Sequence, residues 1–170
     1  LYGKTKCDGE KEVIKSKNYV SFRLATVFGF SYRMRSDVMV NNFVFRALEQ
    51  KKLDLFEPNF RRNFIHVRDV VDCIIYTINN FKKMKNNIFN LGLNSANITK
   101  LQLALLIKKK LKFLKINIIK GRKDPDQRDY FVSNKKLNRK GFKPSRSLES
   151  GIEELIKGFK IKNRNIKNNY

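Results

Sequence analysis

Tyr2 and Lys6 stand four residues apart, and on a helix that spacing sets a phenol and an ammonium on one face. A phenol with its ordinary pKa of about 10 is a poor base at neutral pH. A lysine charge beside it stabilises the phenolate and lowers that value. Such a pair can take a proton from a substrate hydroxyl or hand one back. The same spacing also describes an exposed Tyr–Lys pair with no chemistry, and a chain this rich in lysine, with six tyrosines, is expected to contain one by chance.

His66 is the sole histidine. Inside the apolar run Phe64-Ile65-His66-Val67 it reads as a structural residue rather than a base. Asp69 reads as a helix cap that binds no substrate. Cys7 and Cys73 are far apart and lack metal-ligand spacing, so they read as small buried hydrophobes of a reducing compartment, and no metal site is expected.

The formal charge of +23 raises the question of a nucleic-acid partner. Lysine outnumbers arginine 26 to 12, whereas a phosphate and base reader is expected to favour the arginine fork. Lys, Asn and Ile share A/T-rich codons, so a solvated lysine-rich surface is the preferred reading and no nucleic-acid partner is expected. No apolar run approaches the roughly 18–20 residues of a membrane span, which excludes a membrane partner by this route. Leu1, followed at once by a charged helical stretch, reads as a truncation point, and a cytoplasmic location is expected.

The elements that must position these residues alternate between helix and strand, which argues an α/β fold. Residues 2–16 read as an amphipathic helix with Cys7, Val13 and Ile14 toward a core. The β-branched and aromatic run Tyr19–Phe28 reads as a buried strand, entering a loop at Gly29–Ser36. Asp37 is placed as the cap of a helix to Gln50, with Val40, Phe43, Val44, Ala47 and Leu48 on its apolar side. Strands are expected at Leu53–Phe56, Phe64–Val67, Asn87–Leu91 and Lys115–Ile119. Helices are expected from Asp69 to about Asn80, over Lys100–Leu111 behind a Thr99 cap, over Lys135–Lys140 and over Leu148–Phe159. Asp124–Arg128 reads as a polar loop and Lys160–Tyr170 as a frayed tail. None of the eight glycines forms a G-x-G-x-x-G, the turn that holds a dinucleotide pyrophosphate.

Several segments, taken in order, carry a resemblance. Tyr2-Gly3-Lys4-Thr5-Lys6 is followed by Glu10 and by Arg23-Leu24-Ala25-Thr26-Val27-Phe28-Gly29. Then come Arg33-Met34-Arg35 through Asn41-Asn42-Phe43, and Arg62-Asn63-Phe64-Ile65-His66-Val67-Arg68-Asp69-Val70. Asn90-Leu91-Gly92 precedes Thr99, and Gln127-Arg128-Asp129-Tyr130, Lys135-Lys136-Leu137, Gly141-Phe142-Lys143-Pro144 and Ser147–Ile152 complete the series. Over residues 1–158 this order and spacing resembles the C-terminal portion of the extended short-chain dehydrogenase/reductase superfamily, in its NAD-dependent epimerase/dehydratase branch.

The resemblance implies the last strands and catalytic helix of an NAD(P)-binding Rossmann fold plus a small α/β substrate lobe. It divides the chain into 1–36 (catalytic helix and following strand), 37–63 (entry to the substrate lobe), 64–92 (return to the Rossmann domain), 93–160 (C-terminal lobe) and 161–170 (polar tail). It implies that Tyr2 is the acid/base, with Lys6 lowering its pKa and touching the nicotinamide ribose. Ala25 would lie against the cofactor and Thr26 beside the sugar. Asn41 or Asn42 would contact the nucleotide sugar, the register being open between two adjacent asparagines. Arg62 and Arg128 would clamp the diphosphate, a role suited to a planar permanent charge. For each arginine a blander reading stands beside that one: Arg62 next to Arg61 as surface charge, and Arg128 between Asp126 and Asp129 as a loop salt bridge.

The implied activity is epimerisation, dehydration or reduction of a nucleotide sugar with NAD or NADP, in a homodimer. Phe30 stands where a proline often follows Phe-Gly, and Ala25-Thr26 replaces an Asn-containing version found in some epimerases. The alternative is a non-catalytic relic that binds sugar nucleotides, and less favoured is a basic nucleic-acid-binding module. The isolated chain is expected to be inactive and marginally stable, with open sheet edges.

Overall fold

The run from Val20 to Phe28 places branched and aromatic side chains at alternate positions, a pattern that suits a pleated, half-buried strand. In the computed structural model, which describes residues 1–121 and 128–161, this run forms β1 (Val20–Leu24) and β2 (Thr26–Phe28), interrupted at Ala25. The strand changes partner there. β1 pairs in parallel with a later strand, Asn87–Leu91, and β2 pairs in parallel with Phe64–His66. Ala25 N donates to Leu91 O at 2.9 Å and Thr26 N donates to Asn63 O at 3.1 Å, so the switch costs no backbone hydrogen bond.

The remaining elements follow in order. Helix α1 (Tyr2–Ile14) precedes β1. After β2 come α2 (Met39–Gln50), β3 (Lys52–Leu55), β4 (Arg61–Arg62), β5 (Phe64–His66), α3 (Val67–Asn79), the short α4 (Phe81–Met84) and β6 (Asn87–Leu91). A 3-10 turn at Asn94–Ala96 leads into β7 (Ile98–Thr99), α5 (Lys100–Lys110), β8 (Lys115–Ile118), α6 (Lys135–Arg139) and α7 (Leu148–Ile161). β3 pairs in parallel with β8, and β4 antiparallel with β7. The α/β class and its parallel strand pairs stand as the sequence implied. Asp124, Asp126, Gln127 and the tail beyond Ile161 lie outside the described residues.

Two apolar clusters hold the chain together. In the first, Val40, Val44 and Ala47 of α2 pack with Leu53 and Leu55 of β3, Leu103 and Ile107 of α5, and Ile152 and Leu155 of α7. In the second, Ile65, Cys73, Met84, Phe89, Leu91, Leu137 and Phe142 pack beneath β1. Phe45 and Phe159 meet across α2 and α7, with ring centroids 5.5 Å apart. Thr99 caps α5 in a reciprocal box with Gln102: Gln102 N donates to Thr99 Oγ1 at 3.1 Å and Thr99 N to Gln102 Oε1 at 2.8 Å.

Several local expectations are corrected. Helix α1 buries none of its residues, so Cys7, Val13 and Ile14 face solvent rather than a core. Its periodicity describes a helix, but the face of β1 toward it is polar: Ser21 Oγ and the Arg23 guanidinium both donate to Glu10, the latter at 2.6 and 2.9 Å. Asp37 does not cap α2; Val38 holds that position, and Asp37 instead pairs with Arg35. Asp69 is no cap either. Helix α3 starts two residues earlier, with His66 Nδ1 accepting from Arg68 N at 3.2 Å. Asp69 lies buried in the first turn and accepts from Ser145 N, Arg146 N and Arg146 Nη1 at 3.1, 3.2 and 2.9 Å. It fastens the segment ahead of α7 to α3.

Candidate active-site cleft

Gly29 ends β2 with φ of +130°, and a Cβ there would lie 2.9 Å from His66 Nε2. A side chain is therefore strained at this point and also crowded. The loop that follows is held by two adjacent asparagines of α2. Asn41 Oδ1 accepts from Gly29 N at 3.1 Å while its Nδ2 donates to Arg35 O at 2.8 Å. Asn42 Nδ2 donates to Ser36 O at 3.2 Å.

Beside this loop opens a cleft of about 440 Å³ whose lining includes Thr26, Asn42, Arg62 and Arg128. Four residues named from separate sequence segments thus meet on one cavity. Asn41, buried and committed to backbone groups on both amide ends, does not line it. Of the two open asparagine registers, Asn42 is the one that faces the cleft.

Arg62 is 2% exposed, which removes its reading as a surface charge. Its Nη1 donates to Arg61 O at 2.9 Å, and its guanidinium lies 5.6 Å from the centroid of the Tyr130 ring. Arg61 takes the surface role: its Nε and backbone N donate to Asp129 Oδ1 at 3.1 and 2.8 Å, and this hydrogen bonding holds the Asp129 carboxyl below its usual range.

Asn97 exchanges bonds with the Val132 backbone at 2.8 and 3.0 Å. Asn134 Oδ1 accepts from Gly92 N at 2.8 Å, and Asn90 Nδ2 donates to Ser133 O at 3.2 Å. Side-chain amides therefore pin the stretch 129–134 to β6 and to the turn that follows it. Its anchored position sets Tyr130 over Arg62, and the preceding Arg128 lines the cleft.

Sequence reasoning missed three more cations on the lining: Arg35, Arg46 and Lys100. Lys100, the first residue of α5, is also 2% exposed. Two carboxylates, Asp37 and Asp54, complete the charged lining among the described residues. A hydrogen bond from Arg35 holds the Asp37 carboxyl below its usual range, and one from the Asn117 amide does the same for Asp54. Both are therefore ionised at neutral pH. The cationic excess suits an anionic ligand. The signal for Lys100 was present as a polar residue opening an apolar helix, but only packing reveals that it is buried.

Tyr2 and Lys6 sit together on α1, with Lys6 Nζ 5.4 Å from the Tyr2 ring centroid. Neither lines the cleft. Tyr2 is 73% exposed. Ala25 is buried at the junction of β1 and β2, in contact range of Gly92. His66 is buried with its ring edge-on to Phe28 at 5.4 Å, and burial lowers its pKa, so it is a neutral structural group rather than a base facing the cleft. Among the described residues no group of His, Cys, Asp or Glu could hold a metal ion, and no described helix is long and apolar enough to cross a membrane.

The family model for the NAD dependent epimerase/dehydratase family matches residues 1–92, and the chain belongs to that family. GDP-L-colitose synthase of Yersinia pseudotuberculosis is 35% identical over 99 residues, 58% of this chain and 32% of that protein. The structure of a GDP-6-OMe-4-keto-L-xylo-heptose reductase from C. jejuni has a TM-score of 0.80 at 18% identity, over 95% of this chain and 61% of that one. A Thermotoga maritima UDP-glucose 4-epimerase solved with UDP-glucose has a TM-score of 0.71 at 25% identity, over 85% of this chain and 46% of that one. The chain thus spans between about a third and three fifths of the length of these relatives.

Proposed function

We propose that the cleft binds a nucleotide sugar and that the chain supplies the acid/base helix and substrate lobe of an NAD(P)-dependent epimerase, dehydratase or reductase. The observation that carries this reading is the meeting of Thr26, Asn42, Arg62 and Arg128 on one cavity with a cationic lining. Arg62 and Arg128 hold the diphosphate, Asn42 contacts the nucleotide sugar, and Thr26, at the C-terminal end of the split strand, borders the sugar.

Lys6 stabilises the Tyr2 phenolate, which takes the proton of the sugar hydroxyl as the hydride leaves the same carbon and so becomes the neutral phenol. The nicotinamide supplies hydride acceptance and donation when bound. The residues fit its reactive end, since Tyr2 and Lys6 are adjacent and solvent-facing and Ala25 closes the strand beside Thr26. The pyrophosphate cradle, a G-x-G-x-x-G turn, is not among the residues of this sequence. On this reading the chain alone turns over no substrate and acts as part of a longer cytoplasmic homodimeric enzyme. The choice between NAD and NADP rests on residues outside this sequence.

The second reading is a binding protein without chemistry. It is favoured by the cleft lining, which includes neither Tyr2 nor Lys6. Calorimetry with UDP-glucose and GDP-mannose on this chain tests the cleft, and nicotinamide absorbance in the full encoded polypeptide tests the chemistry. Binding with turnover supports the enzyme, and binding without turnover supports the second reading. A folded chain that binds neither sugar nucleotide sinks both.

A further inference from the structure

We infer that Asp129 is a positioning residue: clasped to Arg61, it holds the Arg128 guanidinium on the cleft in register with Arg62. The inference rests on the nucleotide-sugar reading given above and adds what fixes the second of its two arginines. Arg62 and Arg128 line one cavity but reach it from distant segments. Arg62 is set in place by its burial and by the pairing of β4 with β7. Arg128 is exposed and opens a stretch, 128–134, that belongs to neither helix nor strand. The residue after it supplies an anchor. Asp129 Oδ1 accepts from Arg61 N at 2.8 Å and from Arg61 Nε at 3.1 Å, and its Oδ2 accepts from Arg61 Nη2 at 3.4 Å. Tyr130 N donates to Arg61 O at 3.5 Å, and the Tyr130 ring faces the Arg62 guanidinium. Residues 129 and 130 thus grip residues 61 and 62, and one peptide unit of about 3.8 Å separates Asp129 from Arg128.

Placement matters because the lining carries both signs of charge. The ionised Asp37 and Asp54 share the cavity with the arginines. A diphosphate is therefore held only where cations approach it more closely than these carboxylates do. The Arg61–Asp129 pair is half open to solvent, and such pairs add little to global stability. Its consequence is local, through the backbone N–H of Arg61 that Asp129 also accepts. Asp129 does not line the cavity. Acting only as a nearby negative charge, it would disfavour an anionic ligand, and its removal would tighten binding. Acting as a clasp, it favours that ligand by placing Arg128, and its removal weakens binding. The two roles predict opposite signs.

The test is calorimetry with UDP and with inorganic pyrophosphate on the wild type, Asp129→Ala, the isosteric Asp129→Asn, Arg128→Met and the double variant Arg128→Met with Asp129→Ala. Melting temperatures establish that each chain is folded. Arg128→Met is expected to lose about tenfold or more in affinity for both probes. Asp129→Ala is expected to lose about fivefold, with Asp129→Asn changing in the same direction. In the Arg128→Met background, Asp129→Ala is expected to change nothing further, because the residue it positions is already gone. Unchanged or tighter binding in both folded Asp129 variants overturns the inference and leaves the nucleotide-sugar reading standing. An equal further loss in the double variant also overturns it, since Asp129 would then act without Arg128. A folded wild type that binds neither UDP nor pyrophosphate overturns the nucleotide-sugar reading itself, and the role of Asp129 with it.

Discussion

Arg62 and Lys100 of the cleft are each 2% exposed and enclosed by several elements, whereas Tyr2 of α1 is 73% exposed on a helix that buries no residue. The cleft draws on β2, α2, β3, β4 and α5, so its side chains are fixed by the packing of the larger apolar cluster. Helix α1 is linked to the rest mainly through Glu10, Ser21 and Arg23, an ion pair whose arginine is largely exposed. The binding half and the acid/base half of the proposed chemistry are therefore stabilised by different forces. Substitutions should separate them.

The largest expected effect is on turnover. Tyr2→Phe is expected to cut the rate about a hundredfold or more in the full encoded polypeptide. Its melting temperature should match wild type, because the phenol is outside both cores, and its nucleotide-sugar affinity should fall far less than its turnover. A parallel loss of affinity would break the separation.

Next is a stability effect confined to the packed half. Asp69→Ala removes the acceptor of two backbone N–H groups and the Arg146 guanidinium. Arg146 is partly exposed and keeps Asp72 as a partner, so losing these hydrogen bonds to the buried carboxylate costs about 2 kcal/mol, readable in urea unfolding. A cost near zero would mean the 145–146 segment is not held by this carboxylate.

A smaller pH effect should also come from the packed half. Burial favours the neutral His66 imidazole, so its folded pKa lies below its ordinary value of about 6.5. The folded state then binds fewer protons than the unfolded state between the two values. Stability from this group is fully present above about pH 6.5 and is lost as pH falls through the depressed folded value. Melting temperature against pH should decline on that side, and His66→Gln should flatten the decline. A decline unchanged in the variant would assign it to other groups.

The smallest global effect should come from Glu10→Gln, which weakens the pairing with Arg23. Exposed ion pairs contribute about 0.2–1 kcal/mol, so the melting temperature should barely move. Amide exchange along α1 should nonetheless quicken while exchange in α5 and α7 does not. Uniform quickening would show that α1 and the cleft are one cooperative unit.

Much of the fold was legible in periodicity and punctuation. The strands at 87–91 and 115–118, the Thr99 cap and the apolar side of α2 follow from residue types a few positions apart, and local sterics and capping act at that range. The errors share a cause. Cys7, Val13 and Ile14 form an apolar set on α1, yet periodicity cannot say whether anything packs against it. Asp37 and Asp69 look like caps because the residue type suits caps, but an ion pair with Arg35 and bonds from residues 145–146 claim them instead.

For the site, motif order picked out Thr26, Arg62, Arg128 and either Asn41 or Asn42, while the finding that Asn42 lines the cavity and Asn41 is taken up by Gly29 and Arg35 needed the structure. The sequence by itself determined the α/β class, the family and the ordered set of candidate residues, because these depend on local pattern and spacing. Only the tertiary structure decided that Arg62 and Lys100 are buried, that three further cations share their cleft and that α1 stands apart from the cores. Burial and charge proximity arise from contacts between residues 26 to 128, and no local pattern encodes which distant segments will meet.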